Sequence, residues 1–151
     1  MQDLILKNGY LFDPPNGYAG QRGDVAIQDG RITGVGKIEE EASQTVDVTG
    51  LAVTPGLIDF HTHLYTKGSG FGLNGDLLLS SGVTMAVDMG TAGCAGYEAF
   101  RLTDILPRTI NIRSFLNLSP VGQPGAFVNV AFLIKTEEYF LYCLTASFVH
   151  G

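Results

Sequence analysis

Cysteine is scarce in this sequence. Cys94 and Cys143 are the only two, too few for a disulfide framework, so a reduced, cytoplasmic setting is the expectation. Basic residues are also few: 9 Lys and Arg stand against 15 Asp and Glu, a formal charge of -6. Neutralising phosphates needs clustered Lys and Arg, so the composition argues against a nucleic-acid partner. Long apolar runs are missing. The stretch AFVNVAFLIKTEEYFLYCLTASFVHG is apolar and aromatic. Lys135, Glu137 and Glu138 break it well short of the roughly 20 residues that span a bilayer, and no membrane partner is expected. The N-terminus, MQDLILKNG, lacks a basic segment followed by a long apolar run, so no secretion signal is expected. There is no internal repeat. The Gly-rich stretch GTAGCAG around Cys94 lacks the G-x-x-x-x-G-K-[ST] pattern that cradles phosphates. Cys94 reads as a loop residue and not as a nucleophile.

What is present is a globular composition, 45% hydrophobic and 16% charged over 151 residues, enough for one ordinary domain with a core. Residues 1–54 read as short strands forming a small antiparallel β unit. Val25 and Ile27, then Ile32 and Val35, flank Asp29-Gly30, a strong hairpin signal because both turn residues need φ > 0. Thr49-Gly50 between Val48 and Leu51 is a weaker version. The unit holds no catalytic cluster and reads as scaffold.

After Pro55-Gly56 the rhythm changes. Residues 57–64, 83–89 and 110–118 read as strands. Residues 74–81, ended by Gly82, and 97–106, stopped by Pro107, read as helices. This order implies a parallel sheet with right-handed crossovers. An open doubly wound sheet and the opening of a (β/α)₈ barrel both fit. Residues 123–151 stay unassigned, either a buried strand plus helix or a tail apart from the fold.

Alternate residues of a strand face one way. Leu57, Asp59, His61 and His63 therefore share one face, and Ile58, Phe60, Thr62 and Leu64 the other, where helices are expected to pack. The polar face is densest at the strand's C-terminal end, which carries the active site in α/β folds. Two neutral imidazoles there can converge on one cation at about 2.0–2.1 Å from each nitrogen. Taken alone, His-x-His reads first as two histidines without metal, since two ligands underdetermine a zinc site. Asp88 is expected to point inward with Thr84 and Ala86, either supporting metal ligands or pairing structurally. Asn117, with Arg113 and Phe115 on the inward face of the third strand, is a candidate substrate contact. Arg113 is expected to neutralise Asp59 or Asp88, since an unpaired buried charge is costly.

Residues 55–64, PGLIDFHTHL, resemble the first barrel strand of the amidohydrolase superfamily, whose signature is a PGLID-[FLM]-H-x-H run. VDMGTAGCAGYEAFR, residues 87–101, and RSFLNLS, residues 113–119, are similar to its amidohydrolase/deacetylase metallohydrolase subgroup. D-aminoacylases and dihydroorotases are more distant relatives. The resemblance covers residues 2–122. It implies part of a small β-sandwich over residues 1–54 and a partial metal-dependent hydrolase barrel over residues 55–122. It implies one or two zinc ions, with His61 and His63 as ligands of the more buried one. The implied reaction is hydrolysis of an amide, or an ester, in a small N-acyl or cyclic amide substrate. The family's other ligands are a bridging lysine, further histidines and an aspartate on later strands. Lys135 is the only candidate for that lysine, and His150 is the one further histidine. A barrel takes about 250 residues, so an incomplete barrel is expected, with an open sheet edge prone to self-association. The rival reading is a non-catalytic chain, either a remnant or a half-barrel that takes its missing strands from a partner.

Overall fold

A computed structural model of the chain describes residues 1–123. Two compact units are present, one spanning Met1–Pro55 and the other beginning at Gly56.

The first unit contains β1 (Gln2–Asp13), β2 (Tyr18–Gln28), β3 (Arg31–Gly36), β4 (Ala42–Asp47) and β5 (Ala52–Val53). They form one sheet in the order β3-β2-β1-β4, with β5 also on β1. The β2–β3 hairpin turns at Asp29 (φ 50°) and Gly30 (φ 69°), the positive-φ pair that its sequence predicts. Thr49-Gly50 corrects the expectation of a purely antiparallel unit. It closes no hairpin, because β4 and β5 both run parallel to β1. The reason is local. Asp47 Oδ1 accepts hydrogen bonds from the Thr49 N–H at 3.0 Å and its hydroxyl at 2.6 Å. The Leu51 N–H donates to the Val48 carbonyl at 3.0 Å. The chain therefore jogs sideways and resumes its direction. β1 bulges to match: Asn8 has φ 65°, and the register shifts between Leu6 and Gly9. Gly9 is required there, since a Cβ would fall 2.5 Å from Val53 Cγ2. Ile5, Leu11, Val25 and Ala26 are buried. Asp24, also buried, accepts from the Asn8 and Ile38 N–H groups and from Lys7 Nζ. Burial pushes its carboxyl up, but those donors outweigh burial and leave it below the usual carboxylate range.

The second unit is built on β6 (Leu57–Thr62), β7 (Val83–Gly93) and β8 (Asn111–Asn117), in sheet order β6-β7-β8 with both pairings parallel. The strand–helix rhythm therefore gave the correct topology. The first crossover carries a 3₁₀ helix, Gly75–Ser81, capped by Asn74, whose side chain accepts from the Asp76 N–H at 3.0 Å. Gly82 ends it in the left-handed region at φ 79°. The second crossover carries α1 (Tyr97–Phe100), which widens into a π turn over Arg101–Ile105 before Pro107. Leu64, Val83, Ala86, Ala92, Phe100, Ile110 and Ile112 form the core between sheet and helices. Burying Phe100 and Leu64 stabilises the unit by about 1.5–3 kcal/mol each.

The face assignment along β6 needs correction. Asp59 pairs with Ala86 and Thr62 with Asp88, three residues advanced on one strand against two on the other. Side-chain alternation slips by one within that step. The cause is the Asp59 carboxylate, which accepts the His61 N–H at 3.1 Å and bends the strand. Asp59 and Thr62 consequently share the helix side with Ala86. Ile58 pairs with Met85 instead. Ile58 and Phe60, expected under the helices, are 58% and 64% exposed. The Phe60 ring meets the ring of Phe115 edge-on at 6.4 Å.

Candidate metal centre

β6 stops at Thr62, so His61 is its penultimate residue and His63 the first beyond it. Both stand at the C-terminal end of a parallel strand, where open α/β sheets bind ligands. Their ring centroids are 5.6 Å apart and the planes cross at 71°. A cation about 2.1 Å from one nitrogen of each ring sits roughly 3.2 Å from each ring centre. Two such rings at a tetrahedral angle would have centres about 5.2 Å apart. The observed ring-centre spacing is close to that value.

The two rings are held differently. His61 is exposed. His63 is half-buried, with Nδ1 2.9 Å from Thr91 Oγ1. The Phe71 ring stands perpendicular to it at 4.9 Å, and the His63 carbonyl accepts the Leu73 N–H at 2.9 Å. With Nδ1 engaged by Thr91, Nε2 is the nitrogen left for a cation.

Asp88 lies on the helix side of the sheet and meets the backbone next to His63, not its ring. It is fully buried on the side of the sheet where its neighbour in register, Ser114, follows Ile112. Its two oxygens accept the Leu64 and Thr91 N–H groups, both at 2.7 Å. The carboxylate thus ties the backbone just after His63 to the end of β7. This also answers the expectation for Arg113. Backbone donors meet the charge of Asp88, and among the described residues Arg113 is exposed and forms no ion pair with Asp59 or Asp88. Asn117 spends its side chain on backbone: Nδ2 donates to the Gly90 carbonyl at 2.9 Å, and Oδ1 accepts the Ser119 N–H at 2.8 Å. It shapes the loop instead of presenting a free amide to a substrate. Lys135, His150 and the tail lie outside the described residues.

Among the described residues, no three His, Cys, Asp or Glu side chains gather to hold a metal. The two histidines are the pair of candidate ligands that the described residues bring together here. Sequence reasoning missed Thr91 and Phe71. Thr91 was findable in principle, as the one hydroxyl in GTAGCAG at the strand end beside the histidines. Phe71 lies in the irregular segment 63–74 and carries no such signal.

A buried knot braces this segment from below. Asp104, 1% exposed, accepts from the Thr66 hydroxyl at 2.7 Å and N–H at 3.3 Å. It also accepts from the Thr103 hydroxyl at 2.8 Å and from Arg108 Nη2 at 2.9 Å. Burial raises its carboxyl, but these donors win and hold it below the usual range.

No family model matches the chain. It is 46% identical over 66 residues to a dihydroorotase of Streptococcus pneumoniae, covering 43% of this chain and 15% of that protein. It is 34% identical over 97 residues to a deacetylase of Agrobacterium fabrum, covering 62% of this chain and 24% of that protein. A dihydroorotase crystal structure superimposes with a TM-score of 0.78 at 24% identity, over 99% of this chain and 40% of that one. The chain thus spans a quarter or less of the length of these two relatives.

Proposed function

The chain belongs to the amidohydrolase superfamily, and on that premise we propose that its described residues carry the opening metal ligands of a hydrolase of C–N bonds. His61 and His63 hold a divalent metal, zinc in the first instance, through Nε2 at the end of the first strand of a (β/α)₈ barrel. Residues 1–54 are part of a small β-sandwich. The observation that carries this reading is the pair of imidazoles 5.6 Å apart at the C-terminal end of a parallel sheet. The substrate class is a small N-acyl or cyclic amide, deacetylase-like, with esters as a secondary class. A metal bound there supplies Lewis acidity toward the substrate carbonyl and lowers the pKa of water it binds. The chain's own part is to aim two imidazoles. Asp88 anchors the backbone on either side of the site, and Phe71 packs on the ring of His63. Two imidazoles fill half a tetrahedral shell, so the reaction needs ligands beyond residues 1–123.

The test is a graft. Residues 55–119 replace the matching segment of the Agrobacterium fabrum deacetylase. The folded chimera should retain metal-dependent amide hydrolysis and lose it on either His61→Ala or His63→Ala. A folded chimera in which both substitutions leave hydrolysis unchanged would remove the assignment.

One observation favours a second reading. Ile58, Phe60 and Phe115 are 58%, 64% and 52% exposed, and β6 and β8 border the described sheet. Apolar surface beside unpaired strand edges invites pairing with another chain. In this reading the exposed apolar face of the described sheet is a contact surface for a partner or a second copy.

A further inference from the structure

We infer that Asn117 is a positioning residue: its side-chain amide holds the bulge in β7 that brings Thr91 against the ring of His63. The use of that contact rests on the metal reading, while its geometry stands without a metal. The register shows the bulge. Met89 pairs with Phe115 and Gly93 with Asn117, so β7 advances four residues where β8 advances two. Gly90, Thr91 and Ala92 therefore arch out of the ladder, and all three are buried. A buried carbonyl that leaves its ladder needs another donor. For Gly90 that donor is Asn117, whose Nδ2 donates to the carbonyl at 2.9 Å. The other end of the amide is also engaged, since Oδ1 accepts the Ser119 N–H at 2.8 Å. Gly90 lies in the left-handed region at φ 79°. A Cβ built on it would stand 3.5 Å from the backbone of Asn117, so the two residues lie directly against each other.

Bulges re-aim side chains beside functional sites, and this one aims Thr91. Two residues past the Met89–Phe115 pair, an unbroken ladder would set Thr91 opposite Asn117. In the arch its N–H donates to Asp88 Oδ1 at 2.7 Å, and its carbonyl accepts the Gln123 N–H at 2.9 Å. With the Gly90 carbonyl tied to Asn117, the peptide groups on both sides of Thr91 are fixed. Its fully buried side chain then places Oγ1 2.9 Å from His63 Nδ1. Whichever of the two atoms carries the proton, the position of the hydroxyl limits where the imidazole can stand. Both side-chain hydrogen bonds of Asn117 go to backbone. Its influence on His63 therefore passes through the arch and Thr91.

The experiment is NMR on the full chain, metal-free and at fixed pH. The probe is Asn117→Asp, which keeps an acceptor for the Ser119 N–H and loses the donor to Gly90. It should move the ring resonances of His63 and weaken the nuclear Overhauser contact between the Thr91 side chain and that ring. In a Thr91→Val background the same substitution should leave the ring resonances of His63 where Thr91→Val alone puts them, because the contact is already gone. Asp76→Ala is the control for a purely structural effect. Asp76 accepts the Thr109 and Ile110 N–H groups at the far end of β8, and its loss should leave the His63 ring resonances in place. Unchanged His63 resonances in folded Asn117→Asp would overturn the inference. An equal shift with and without the Thr91 hydroxyl would overturn it too, as would an equal shift in Asp76→Ala. If Asn117→Asp does not fold, the wild type decides: missing Overhauser contacts between Gly90 and Asn117 would overturn the bulge, and their presence together with a Thr91–His63 contact would support it. Zinc added to the wild-type sample separates the two claims. If neither histidine responds while the Asn117 effects persist, the metal reading fails and the role of Asn117 stands.

Discussion

Replacing Asp104 by alanine should unfold the second unit more readily than any change to its surface. Four donor contacts converge on this carboxylate: the Thr66 N–H and hydroxyl, the Thr103 hydroxyl and Arg108 Nη2. The side chain is 2% exposed and that of Arg108 19%, so the pair is largely removed from water. Arg108 Nε is already buried without a partner. Losing the carboxylate leaves the guanidinium charge uncompensated, and breaking a buried pair in that way costs about 3–5 kcal/mol. In urea this corresponds to a midpoint lower by roughly 1–5 M at constant slope. With no tryptophan in the chain, circular dichroism is the suitable probe. The double variant Asp104→Leu with Arg108→Met should recover much of the loss, because it removes the orphaned charge as well. Acid adds a second reading. The folded-state carboxyl of Asp104 lies below its ordinary value, so its contribution is complete above a pH of about 4 and is lost as pH falls through the folded value. Asp104→Asn should flatten that acid limb, leaving the parts due to Asp24 and Asp47. An Asp104→Ala midpoint within about 0.3 M of wild type would refute this account of the knot.

Gly9→Ala should destabilise the first unit by about 1–3 kcal/mol, read as a lower thermal midpoint, since its Cβ would meet Val53 at 2.5 Å. Phe60→Lys together with Ile58→Lys should reduce self-association in sedimentation velocity, and an unchanged distribution would dismiss the exposed face as a contact. The chain alone, with zinc, should hydrolyse N-acetyl amino acids and dihydroorotate no faster than the metal-only control. Turnover that is well above the control and is abolished by His63→Ala would show that another chain or the tail completes the site.

Sequence carried the topology of the second unit because helical segments between apolar strands leave little choice but a parallel sheet. It carried the Asp29-Gly30 hairpin because two positive-φ residues between alternating strands have one common use. It was less informative where a side chain bonds nearby backbone. Asp47 turns residues 47–51 into a jog that looks like a hairpin in sequence. Asp59 captures the His61 N–H and shifts the alternation on which face counting depends. Asp88 shares a face with Ala86 as alternation predicts, but that face is the one packed under the helices, which alternation alone does not tell. The histidine pair was legible through its motif. Its partners Thr91 and Phe71 were not, since a contact between the end of β7 and an irregular segment leaves no spacing to read.

The central claim is that His61 and His63 together hold one divalent ion, and calorimetric titration of the intact chain with zinc tests it most directly. Weak one-to-one binding is expected, because the two histidines among the described residues fill half a tetrahedral shell, and it should vanish in both His61→Ala and His63→Ala. Tight one-to-one binding that survives His61→Ala would place the metal elsewhere and contradict the account.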